Sequence, residues 1–393
     1  MMRDLLIVGA GPVGLACALE AALLGQSTLV LDAAPGPGAS SRAVGVHPAA
    51  LAALAPSGVG DALAAAARHV RLGEARASER TLGFVRFGRL GGDYPFVATV
   101  TQERTEAILA ERCTALGGAA VEWGSEVRSV RNAHDRVVAR VRDAAGATRE
   151  AHARFAVIAT GARGVDLTGL RAHVRQRAYR DRYLMADVPD LGADGDTAVI
   201  HLHAEGVLES FPLPGERRRY VAWAPDTGRG SADSEQLGDR LRHLVATRTG
   251  SALAASAVET ASGFGVRRTL VPRMRQGRIA VIGDAAHEVS PIGGQGMNLG
   301  ILDAVTLARV LGTVGERDDG LGPDVDDALE RWARRRRRAA GLSGRLAAAN
   351  TRIGRPLGDA GDRARSLLLT AILRSPAERL LAVAYAMRFD PDG

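Results

Sequence analysis

The chain has no lysine: all 51 of its basic residues are arginine. Mechanisms that need a lysine amine are therefore excluded, Schiff-base chemistry first among them. The lysine-bearing phosphate loop is excluded by the same absence. Cysteine is almost as scarce. Cys17 and Cys113 form no paired motif, so neither a disulfide scaffold nor a cysteine-rich metal site fits. Two unpaired thiols suit a reducing cytoplasm. Long apolar runs are also missing, and none reaches the ~18 residues of a membrane span. The N-terminus imitates a secretory leader in outline. Asp4, Glu20 and the glycines from Gly9 to Gly14 suit a strand–loop–helix unit better. No internal repeat and no low-complexity linker is found.

What remains is the composition of a folded protein. The 393 residues are 46% hydrophobic and 24% charged, enough for a large nucleotide-binding body with an inserted domain. The formal charge of +7 would suit an anionic partner. In a lysine-free chain rich in alanine and arginine it reads as GC-rich coding instead.

Two glycine motifs carry the chemistry. Leu5–Val8 is a short apolar run, as expected of a buried parallel strand. GAGPVG follows from Gly9 to Gly14, then a helix from Leu15 to Leu24, then a second strand ending at Asp32. This β-α-β unit has the dinucleotide-binding spacing. Gly9 permits the turn, Gly11 admits the pyrophosphate, and Gly14 lets helix and strand pack closely. Pro12 and Val13 open the helix, whose free N–H groups face the anion. Asp32 can accept hydrogen bonds from a ribose. The second motif is RIAVIGDAAHEVSPIGGQGMNLGILDA, from Arg278 to Ala304. A buried strand runs into Gly283-Asp284, whose carboxylate suits sugar or ribityl hydroxyls. Gly293, Gly294 and Gly296 expose backbone to a flat ring, and a helix beginning near Met297 or Asn298 stabilises negative charge there. A cofactor gripped at both ends points to FAD rather than NAD.

The element order predicts an α/β fold: a Rossmann-like, glutathione-reductase-type FAD-binding domain with an inserted mixed β-sheet domain and C-terminal helices. We expect residues 1–70, 98–175 and 265–312 to form the FAD-binding domain. Residues 71–97 and 176–264 form the substrate sheet, and 313–393 a helical region. Within this frame, Thr101 starts a helix, 121–141 forms a hairpin, and 154–159 is a buried strand.

In GAGPVG with Asp32, SRAVGVHPAALAAL, VTQERTEAIL and the segment from Arg278, the chain resembles the para-hydroxybenzoate hydroxylase family of FAD-dependent monooxygenases. The resemblance covers most of residues 1–310. It implies that the segment from Arg42 contacts FAD, that Gln102 contacts it from its helix, and that Asp284 holds the ribityl chain. Pro291, Gly294, Gln295, Gly296, Met297 and Asn298 would line the ring. One departure stands out. Where the family carries an Asp-Gly pair, this chain has Thr160-Gly161, which brings a hydroxyl without charge. The implied reaction takes NADH or NADPH as reductant and O2 as cosubstrate. It hydroxylates an apolar phenolic or polyketide-like aromatic through a flavin C4a-hydroperoxide. The lysine-dependent flavin halogenase route is closed to this chain.

His201 and His203 lie two apart and share a strand face, which either lines the site or stays wet. With Tyr220 they are the candidate catalytic residues. Tyr220, Trp223 and Phe211 offer an aromatic wall or core packing, and His287 reads as structural. No metal cluster is evident. The five arginines Arg334 to Arg338 cannot all be buried, and a solvated helix face paired with the acid-rich 318–327 is expected. Leucine stripes over 367–373 and 380–387 are expected to pack on the body. The chain stops soon after them, so an appended thioredoxin-like domain is not expected. A small-molecule substrate, no nucleic acid, no integral membrane segment, and a cytoplasmic monomer or homodimer complete the expectation. Alternatives are a flavin reductase or dehydrogenase such as a prenyl double-bond reductase, a Baeyer–Villiger or epoxidising enzyme, and a basic FAD-carrying binding protein.

Overall fold

The computed structural model describes residues 2–38, 43–78, 80–162, 167, 174–225, 233–314 and 322–388. Its first sheet is built on the N-terminal unit. Arg3–Val8 pairs in parallel with Thr28–Leu31 on one side and Thr148–Ile158 on the other. Ala119–Glu122 extends the sheet beyond Thr28–Leu31, and Ile279–Val281 extends it beyond Thr148–Ile158. Leu5, Leu6, Ile7 and Val8 are all buried, because helices cover both faces of a parallel sheet. The glycine-loop helix, Pro12–Leu23, starts with proline in its first turn, where a missing N–H costs nothing. Gly14 is fixed by packing: a Cβ there would stand 1.9 Å from the Gly9 carbonyl oxygen. The second motif strand therefore lies two strands from the first, and both loops open at the same end of one sheet.

A second, seven-stranded sheet stands against this body. Its order is Ser262–Leu270, Arg175–Pro189, Arg217–Trp223, Leu208–Leu213, Ala198–Leu202, Leu72–Ala77 and Arg80–Arg86. The pairings are antiparallel except for Ala198–Leu202 with Leu72–Ala77. Three helices, Pro323–Ile353, Gly358–Leu373 and Ala377–Tyr385, complete the described chain.

The expected hairpin over 121–141 is displaced. Ala119–Glu122 joins the parallel sheet, and the hairpin consists of Glu126–Asn132 and Val137–Arg142. The helix of the second motif starts at Gln295, earlier than the sequence suggested. The arginine run also departs from expectation. Arg336 is fully buried, its Nε donating to Asp303 Oδ1 at 2.7 Å and its Nη2 to the Leu299 carbonyl. Arg337 donates to the Val271 carbonyl. A buried carboxylate on the neighbouring helix makes an inward arginine possible. Of the acid-rich segment, residues 318–321 lie outside the described residues, while Asp326 pairs with Arg275. Among the described residues no helix is long and apolar enough to cross a membrane, and no His/Cys/Asp/Glu cluster could hold a metal ion.

Candidate active site

Both glycine motifs open into one cavity of about 960 Å3. Gly9, Gly11, Pro12, Val13 and Asp32 line it from the first motif, and Gln102, Thr160 and Gly161 from the middle of the chain. Gly283, Asp284, Pro291, Gly294, Gly296 and Met297 line it from the second. Gly14, Gln295 and Asn298 do not, and Arg42 falls outside the described residues. Gly9 takes φ +108°, and a Cβ there would meet the Ala159 carbonyl oxygen at 2.5 Å. Gly11 faces open space, with nothing within 4 Å of a built Cβ. Asp32 braces the loop: Oδ2 accepts the Ala10 N–H at 2.7 Å and Oδ1 the Ala34 N–H at 2.8 Å.

The second loop is held by a clasp. Asn298 Oδ1 accepts the His47 N–H at 2.8 Å, and its Nδ2 donates to the Gly45 and Gly294 carbonyls. Asn298 thus works on the backbone from behind the cavity wall. Gln295 likewise points away, Nε2 donating to the Ala384 carbonyl at 3.4 Å. The His47 Nδ1–H donates to the Tyr385 carbonyl. Burial depresses the imidazole to about 4, so it stays neutral with Nε2 as an acceptor. Beneath the loop, Asp303 Oδ2 accepts the Gly283 N–H at 3.2 Å and binds His287 Nε2 at 2.5 Å. Burial alone would raise the Asp303 carboxyl, but the charges of His287 and Arg336 hold it below the ordinary range.

These features fit FAD. Two helix N-termini, those of Pro12–Leu23 and Gln295–Gly312, face one cavity and favour anionic groups at two separate points. The Thr160 hydroxyl is buried at the cavity wall without a partner among the described residues, a donor left for a ligand. Gln102 donates to Glu106 at 2.8 Å, and burial pushes the Glu106 carboxyl up.

The rest of the cavity is different in character. The second sheet presents Ala198, Ile200, Leu202, Val207, Phe211 and Val221 to it, and the C-terminal helices add Ile353, Leu369, Leu373 and Leu381. Val199 and His201 alternate with these and face the other way. His201 is buried behind the sheet, both ring nitrogens without partners among the described residues. His203 lies past the end of its strand, with Nδ1 accepting the Glu205 N–H at 3.2 Å. Tyr220 packs behind the sheet with Leu241 and Val245, and Trp223 donates to Asp181 at 3.0 Å. None of the three candidate catalytic residues lines the cavity; of the aromatic wall, only Phe211 does. Period two was readable, but the phase of the strand was not. Sequence reasoning missed His47, Asn350, Tyr385 and Glu209, all at the cavity. For Glu209 there was a signal: it is the lone acid in VLESFPL.

A sheet with two glycine loops at one end, feeding one cavity with an apolar second chamber, defines a dinucleotide-binding fold of the FAD type. The family described as FAD binding domain matches residues 2–340, and the chain belongs to it. A 6-methylpretetramide 4-monooxygenase of Streptomyces rimosus is 38% identical over 323 residues, covering 79% of this chain and 56% of that protein. A protoasukamycin 4-monooxygenase of Streptomyces nodosus subsp. asukaensis is 29% identical, covering 85% of this chain and 84% of that one. The chain spans between 56% and 63% of the length of several such relatives. Among solved structures, an anhydrotetracycline hydroxylase from Streptomyces rimosus superposes with TM-score 0.78 at 27% identity, over 98% of this chain and 76% of that one. A p-nitrophenol 4-monooxygenase from Pseudomonas putida reaches TM-score 0.84 at 20% identity, over 98% of both chains. At that identity it bears on the fold alone.

Proposed function

We propose that this protein is a cytoplasmic FAD-dependent monooxygenase, a monomer or homodimer. It uses NADH or NADPH and O2 to hydroxylate an uncharged phenolic or polyketide-like aromatic. The observation that carries this reading is the single cavity with a polar, glycine-walled chamber at one end and an apolar chamber at the other. The two named Streptomyces monooxygenases support it. Bound FAD supplies electron transfer and oxygen activation. The chain's own residues would hold it: the Pro12–Leu23 N-terminus at the pyrophosphate, Asp32 at the ribose, Asp284 at the ribityl chain. The backbone from Pro291 to Met297 would line the ring. The apolar chamber excludes water from the reacting face.

The test is substrate-stimulated NAD(P)H oxidation by the FAD-loaded protein, screened over fused-ring phenols including anhydrotetracycline. A product carrying isotope from labelled O2 is expected. A product formed equally well without O2 would instead establish a reductase.

A further inference from the structure

Glu209 sits in the middle of the apolar chamber. Its strand places it opposite Ile200 on one side and Val221 on the other. Val207 and Phe211 flank it on the same face, and all four line the cavity with it. Its carboxyl makes no hydrogen bond and no ion pair among the described residues, although the residue is only 5% exposed. Such a group costs stability where an apolar side chain would pack. The fold does not need it, so its use lies with what enters the cavity.

We propose that Glu209 recognises the substrate by exchanging a hydrogen bond with a ring hydroxyl, and that it selects uncharged phenols over aromatic carboxylates. The proposal rests on the monooxygenase reading and names the substrate chemistry of that same site.

The groups around Glu209 agree with this. Burial pushes its carboxyl up to about 8, so near neutrality it is protonated and can both donate and accept. Above that point it would repel a carboxylate. Its charge reaches two phenols. Tyr183 is raised chiefly by burial, then by Glu209 and Asp181. Tyr385 is pushed up to about 12 by burial, with Glu209 adding to it against the Asn350 hydrogen bond. Tyr385 donates to Asn350 Oδ1 at 2.8 Å, and Asn350 stands over Gly293 of the second glycine loop. A ring between Glu209 and this pair would therefore lie beside the loop assigned to the flavin. Among the described residues no cation offsets the carboxyl. Arg219 on the adjacent strand is held by both oxygens of Asp187, at 2.5 and 2.6 Å. Arg267 is exposed on the edge strand of the sheet.

The experiment titrates FAD-loaded protein with 1-naphthol and with 1-naphthoate, read by flavin absorbance. At pH 8.5, above the Glu209 titration, the wild type should bind the naphthol at least ~10-fold tighter, since facing like charges cost this much or more. Glu209→Gln should reduce that ratio by about tenfold. An unchanged ratio, or a wild type that binds naphthoate equally well, would overturn the proposal. A second measurement needs no ligand. Glu209→Leu should melt no lower than wild type, because it removes a lone buried acid. A large loss of stability would mean a structural partner and would likewise overturn it. Failure of the monooxygenase reading looks different: no phenol would stimulate NAD(P)H oxidation in wild type, while the Glu209-dependent binding preference would persist.

Discussion

Three of the carboxylates lining the cavity, Asp32, Asp284 and Glu209, differ in what holds them. Asp32 spends both oxygens on backbone N–H groups, so Asp32→Ala should loosen the glycine loop as well as the ribose contact. It should lose flavin and about 2 kcal/mol of stability, since two donors lose their acceptor. Asp284 is exposed to the cavity. Asp284→Ala should bind FAD about tenfold more weakly, roughly one charge-assisted hydrogen bond. A normally loaded, fully yellow Asp284→Ala protein would refute the ribityl contact. Glu209 gives a pH signature. Its folded value, about 8, lies above the ordinary carboxyl, so the native state holds the proton more tightly than the unfolded chain. That contribution to stability is complete below the ordinary carboxyl range and is lost as pH rises to about 8. The apoprotein should therefore lose stability from pH 5 to 8 along a slope that Glu209→Gln lacks. Parallel melting curves for the two proteins across that range would contradict the lone-acid assignment.

At the scale of elements, the second loop depends on a helix pair. Gln295–Gly312 carries Asp303, and Pro323–Ile353 carries Arg336 to it. Asp303 joins Arg336, His287 and the Gly283 N–H, so one carboxylate ties a helix, a loop and a strand end together. Removing it leaves a buried arginine without its anion. Asp303→Asn should cost about 3–5 kcal/mol and release flavin, measured by denaturant unfolding and FAD retention. A cost below 1 kcal/mol would show that the pair is not holding the loop. This link was half legible. Arg336 falls in helical step with Trp332, Ala340 and Ser343, all buried, so the stripe itself marked it as inward. A run of like charges hid that phase. The clasp of His47, Asn298 and Tyr385 was not legible, because it joins residues more than 250 positions apart through backbone atoms that no side-chain pattern records.

Across the whole molecule, the cofactor chamber was readable because each half is a contiguous motif whose glycines have local steric reasons. The apolar chamber was not. Its walls come from 72–87, 198–221, 264–267 and the helices after 323, and no spacing within one segment states which face looks inward. This is why His201 and Tyr220 seemed available and Glu209 did not. The leucine stripes of the C-terminal helices proved partly to be cavity wall: Leu369, Leu373 and Leu381 line it, while Leu367, Leu368 and Leu380 are exposed. The two chambers should therefore separate by mutation. Gly83, on the strand Arg80–Arg86, lets the helix Gly358–Leu373 close down, since a Cβ there would stand 2.4 Å from Leu373 Cβ. Gly83→Val should lift that helix, because overpacking of this kind costs about 1–3 kcal/mol and is relieved by movement. The first sheet and its glycine loops do not touch this contact. FAD content should stay at the wild-type level while 1-naphthol binds about tenfold more weakly, the equivalent of ~1.4 kcal/mol. Equal loss of flavin and naphthol would mean that the helices support the whole cavity and that the two chambers are one mechanical unit.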